Sequence, residues 1–143
     1  MKKRMLAALL LSALLFTLSG CGEKSLLNKK EPVALTFWHV YGEQAGSPMD
    51  LLVQEFNRTV GQERGVQVKV TGTSSASKIG GYLKEAQSGG KGVQEMPDLF
   101  TCHIIDALEL GEDNLVPWNE QFTPDELSDF IPGFLSDGTA EDG

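Results

Sequence analysis

Two histidines, His39 and His103, and one cysteine, Cys102, are the strongest ligating side chains in the body of this chain. Imidazole and thiolate are transition-metal ligands, and Glu43 could complete such a set. Around them lie three polar stretches. "HVYGEQAG" supplies His39, Tyr41, Glu43 and Gln44; "TGTSSAS" supplies Thr73, Ser74 and Ser75; "TCH" supplies Thr101, Cys102 and His103. These groups suit the binding of a small polar molecule better than covalent chemistry. No G-x-S-x-G nucleophile elbow, H-E-x-x-H helix or P-loop lysine is present. Ser75 and Lys78 fit an S-x-x-K spacing, but the partner motifs of a penicillin-binding enzyme are missing. Cys102 reads as a small hydrophobe at a strand end. The chain is therefore read as a binder, not an enzyme, with no cofactor.

Those stretches need elements to hold them. "VALTFW" at 33–38 is a continuous apolar run of β-formers and predicts a fully buried strand, followed by a loop from His39. "SPMD" predicts a helix start, with Ser47 as N-cap, Pro48 at the first helical position and Asp50 closing a capping box. Met49, Leu52, Val53, Phe56 and Val60 follow at helical spacing, and Gly61 predicts the stop. "VQVKV" at 66–70 alternates as a half-buried strand. A helix from about Ser77 turns Ile79, Leu83 and Ala86 inward, although Gly80 and Gly81 weaken it by about 1 kcal/mol each.

"PDLFTC" at 97–102 predicts a third strand, and 104–110 a short helix ending at Gly111. "NLVPW" reads as extended. "TPDE" repeats the capping logic through Thr123, Pro124 and Glu126. Leu127, Phe130, Ile131 and Phe134 mark a buried stripe, with Pro132 ending or kinking the helix. The tail "SDGTAEDG" reads as turn. Alternating strands and helices predict an α/β fold, a parallel sheet with helices on both faces. Right-handed crossovers then place the three polar stretches at the carboxyl edge, where open α/β sheets bind ligands. No repeat or low-complexity tract is present.

The chain opens differently. Lys2, Lys3 and Arg4 precede an apolar run over 5–18 that is too short to span a bilayer. This is the layout of a secretory signal. Leu18-Ser19-Gly20-Cys21 resembles the bacterial lipobox, which implies lipidation of Cys21 and removal of residues 1–20. Two or more acyl chains anchor stably, so the resemblance implies a cell-membrane location on the extracytoplasmic face. Residues 21–32 then read as the lipidated cysteine and a polar tether, and 33–143 as one α/β unit. The net charge is −8, and −11 without the leader's three basic residues. That balance argues against nucleic acid. With Cys21 lipidated, Cys102 has no disulfide partner in the chain.

A signal with a lipobox, a tether, "LTFWHVYG", a helix containing "LLVQEFN", the strand "VQVKV", Lys78 and Leu83 on a helix, then "MPDLF" occur in this order. The series resembles the extracellular solute-binding proteins of bacterial ABC importers, especially the sugar-binding group, over roughly residues 18–135. The resemblance implies part of the N-terminal lobe of a type II periplasmic-binding-protein-like fold, with strand order 2-1-3. It implies a lipid-anchored receptor for a sugar or oligosaccharide, with the ABC permease subunits as partners. Members of the family have a second lobe that this chain lacks, which implies a fragment. Sugar sites pair aromatic faces with polar groups that fix hydroxyls. The residues expected to touch solute are His39, Tyr41, Glu43, Ser74, Ser75, Thr101 and His103. Strand order 2-1-3 also brings His39 and His103 to neighbouring strand ends, which leaves a metal-binding receptor as one alternative. A lipid-anchored scaffold or adhesion domain is the other.

Overall fold

A computed structural model describes residues 27–42 and 46–140, apart from the side chain of Thr73. Three parallel strands form an open sheet in the order β2-β1-β3. β1 spans Val33–His39, β2 Val66–Thr73 and β3 Leu99–Phe100. The central strand pairs with β2 from Val33↔Val66 to His39↔Thr73. Thr71 is an extra residue in that ladder, because Phe37 lies opposite Val70 and Trp38 opposite Gly72. A bulge of this kind twists and re-aims the strand end. The Trp38 indole Nε1–H donates to the Thr71 hydroxyl at 3.1 Å, so the extra residue is itself tied down.

β1 is less buried than its apolar run predicts. Val33 and Ala34 are exposed, and only Trp38 and His39 are fully buried. The reason is coverage: the helices pack over the carboxyl half of the strand. Consecutive strand residues point to opposite faces. Trp38 enters a core with Ile79, Leu83, Ala86 and Leu110, while His39 meets Asp50 of the first helix. Helices therefore lie on both faces of the sheet.

The first helix, α1, spans Pro48–Phe56 and continues without a break through a π-helical turn, Asn57–Gly61, into α2, Gln62–Arg64. Gly61 does not stop it. The stop is Gly65, which adopts φ 76°, the left-handed conformation that favours glycine. Leu52 and Val60 do not face the core; they are 64 % and 50 % exposed, and Met49, Val53 and Phe56 carry the half-buried side. The wider π turn rotates the residues beyond it, so a stripe counted at α spacing loses register there. Asn57, inside that turn, uses both ends of its amide on β2. Its Nδ2 donates to the Val68 carbonyl and its Oδ1 accepts the Val68 N–H, both at 2.7 Å. β2 is an edge strand, and this side chain stands where another strand's backbone would be.

α3 spans Ile79–Ser88 and buries Ile79, Leu83 and Ala86, as its spacing predicts, with Gly80 buried beside them. A Cβ at Gly80 would run into the Asp106 carboxylate, so a larger residue there would have to displace that side chain. Asp106 belongs to α4, Ile104–Leu110, and Lys84 and Glu109 also pair across the two helices. β3 is shorter than "PDLFTC" predicts. Its two paired residues are extended by side-chain clasps. The Asp98 carboxylate accepts the Thr36 N–H and hydroxyl, each at 2.7 Å. At the other end Thr101 N–H donates to the Trp38 carbonyl at 3.0 Å, and the Thr101 hydroxyl accepts the Val40 N–H at 3.2 Å.

Beyond Gly111 the chain forms 3₁₀ turns at Glu112–Asn114 and Trp118–Glu120, then α5, Pro124–Ser128, and α6, Pro132–Asp137. "NLVPW" is thus extended only between two turns. The Thr123–Glu126 capping box forms in full. Pro132 opens a new helix, and Ser136 and Asp137 of the tail belong to it. The buried stripe does not exist: Phe130, Ile131 and Phe134 are exposed. Pro132 splits the stripe between two short helices, and no residue of 111–140 is fully buried.

Candidate functional site

The carboxyl edge of the sheet is built from the ends of all three strands. β1 delivers His39, Val40 and Tyr41, β2 delivers Ser74 and Ser75, and β3 delivers Thr101, Cys102 and His103. Backbone bonds fix their mutual positions. Ser74 N–H donates to the His39 carbonyl at 3.1 Å, and the Thr101 bonds to Trp38 and Val40 lock the other side. Glu43 and Gln44 lie outside the described residues, as does Cys21.

His39 is not a loop residue. It ends β1 and is 0 % exposed. Its Nδ1 accepts the Tyr41 N–H at 3.1 Å, so the ring proton sits on Nε2, which donates to Asp50 Oδ1 at 3.1 Å. Both nitrogens are engaged, and Phe37 and Tyr41 flank the ring. This arrangement makes His39 the post that holds the Tyr41 backbone against the first turn of α1. It also changes the first turn itself. Asp50 serves the imidazole instead of closing a capping box, and Ser47 makes no side-chain cap. A buried N–H donor in reach competes with a solvent-side backbone amide for the same carboxylate, and here it wins.

The other residues of this edge are different in kind. Tyr41 is exposed, Ser75 and Thr101 are half-buried, and His103 is exposed as the residue before α4. The Ser75 hydroxyl shares a bond with that of Ser77 at 3.2 Å. The Ser74 hydroxyl is buried and has no hydrogen-bond partner among the described residues; the Ser47 hydroxyl is in the same condition. Buried polar atoms are nearly always paired, so each has capacity for an incoming donor or acceptor. Ser47 was not legible as a site residue, because a serine before proline at a helix start has a complete explanation as a cap.

Cys102 packs against the core, and burial, aided by the nearby charge of Asp106, pushes its thiol above its ordinary value. The thiol is therefore neutral near neutral pH. Among the described residues no group of three or more His, Cys, Asp or Glu side chains could hold a metal ion. An open depression on α1, lined by Pro48, Leu51, Leu52, Gln54, Glu55 and Arg58, contains none of the residues at the sheet edge. Comparison with protein-family models, with curated proteins and with solved structures finds no match to this chain.

Proposed function

We propose that this chain contributes the first α/β lobe of a lipid-anchored solute receptor serving an ABC importer, and that its carboxyl edge binds a sugar or oligosaccharide. The observation that carries the reading is the Ser74 hydroxyl, buried at the ends of parallel strands and without a hydrogen-bond partner among the described residues, with exposed Tyr41 belonging to the same edge. In a β2-β1-β3 sheet the chain leaves β1 toward one side and crosses to the other, and the crevice at that switch is where such sheets take ligands. A hydroxyl donor-acceptor and an aromatic face match the two surfaces of a pyranose. Solute captured here favours a closed form, and that form docks on the permease. The anchor in this reading is Cys21.

Calorimetric titration of the full chain with a panel of mono- and oligosaccharides tests the binding. At least one sugar should bind, and Tyr41→Ala should weaken it by about 1–3 kcal/mol with little change in melting temperature. Failure of every sugar, or binding that Tyr41→Ala and Ser74→Ala leave untouched, overturns the reading.

A further inference from the structure

Charge is divided sharply along this chain. Lys91 is the last Lys or Arg, and residues 92–143 contain 13 Asp and Glu with no Lys or Arg. The same stretch holds a concentration of uncovered apolar side chains. Val116, Trp118, Ile131 and Phe134 are between 61 % and 73 % exposed, and Phe130 stands out with them. None of 111–140 is fully buried, and only Leu115 leans on the core. Single exposed apolar residues are ordinary; a run of aromatic and branched side chains set among acids of one sign is not.

We infer that residues 116–135 form a docking surface for a cationic, amphipathic segment of a partner protein. Two features fix that chemistry. Exposed aromatic and branched side chains are what protein interfaces bury at their centres, with polar groups around them. Every charged residue of the stretch is acidic: Glu120, Asp125, Glu126 and Asp129, with no Lys or Arg between 116 and 135. A partner that buries Ile131 and Phe134 must bring positive charge to meet them. The same fact disfavours the other occupants. A symmetric contact with a second copy would set two acid-only faces together. An anionic bilayer would repel the surface. The sugar edge is separate, since none of its residues lies in 116–135, so this inference does not rest on the proposed function.

The test uses the full chain and a synthetic amphipathic peptide of leucine and lysine, with a leucine–glutamate peptide as its counterpart. Trp118 is exposed and Trp38 buried, so tryptophan fluorescence reports chiefly on this surface. The lysine peptide should bind, with affinity falling steeply as salt rises. Ile131→Ser with Phe134→Ser, which leaves the charge unchanged, should weaken binding about tenfold or more. Asp125→Asn with Asp129→Asn should weaken it too, which keeps the test valid if the serine pair perturbs α6. Several results overturn the inference: no binding of the lysine peptide; equal binding by the serine variant, which would reduce the effect to charge alone; equal binding of the glutamate peptide, which would reduce it to stickiness; a concentration-dependent dimer that buries Trp118; or binding to phosphatidylglycerol vesicles in place of the peptide.

Discussion

Residues 79–110 and residues 111–140 have similar local grammar and opposite fates. Both contain short helices with apolar residues at helical spacing. In the first, Ile79, Leu83, Ala86 and Leu110 close around Trp38. In the second, Phe130, Ile131 and Phe134 remain in solvent although the Thr123 capping box ahead of them is complete. A cap satisfies orphan amides at a helix end and needs nothing from the rest of the molecule. Burial needs an opposing surface. The comparison teaches that local signals set where a helix begins, whereas the sheet decides whether its apolar face is used.

The widest separation between the regions should come from deleting one large side chain in each. Leu83→Ala removes a fully buried side chain and should cost about 2–5 kcal/mol, read by urea denaturation. Phe134→Ala removes a larger one and should stay within about 0.5 kcal/mol, because it is 73 % exposed. Equal losses would show that the second region is packed after all.

A smaller effect sharpens the comparison on the first region's own edge. Asn57→Ala strips β2 of a donor and an acceptor at Val68, and should cost about 1–3 kcal/mol. Hydrogen exchange should rise at Val68 before the core residues. Unchanged protection there would mean that the π-helical turn holds to the sheet by packing alone.

The smallest effect concerns acid. Two bonds from Thr36 hold the Asp98 carboxyl below its ordinary value of 3.8. A carboxyl with a depressed folded value contributes stability that is fully present above the unfolded value and lost as pH falls through the folded one. Asp98→Asn should therefore flatten the acid limb of a stability–pH profile below about pH 4, its loss being greatest near neutrality, where the carboxylate is ionised, and small because the carboxylate is solvent-exposed. An equal loss at neutral pH and in acid would assign the Thr36 clasp to geometry and not to charge.

Much of this was legible beforehand. Alternation in "VQVKV" holds through the strand, with Val66, Val68 and Val70 half-buried and Gln67 and Lys69 exposed. The inward face of α3 and the stop at Gly111 also follow from spacing and composition. Polar clusters after each strand marked the edge where Tyr41, Ser74, Ser75 and Thr101 come together. These features depend on periods of two and 3.6 and on turn chemistry, which are properties of neighbours in the chain.

What only the tertiary structure decided depends on neighbours in space. His39 and Asp50 are remote enough in sequence that each had a sufficient local reading, one as a loop residue and one as a cap. Their contact removes both readings, and the Ser47 hydroxyl has no partner among the described residues. Asn57 became a surrogate strand only because a π-helical turn aimed it at Val68. Gly80, costly to a helix by propensity, is the residue that lets Asp106 approach. The apolar stripe beyond Thr123 had the right spacing and no surface to meet. Periodicity fixes which side chains share a face; whether that face is buried is a long-range quantity, set by what the rest of the chain places opposite it.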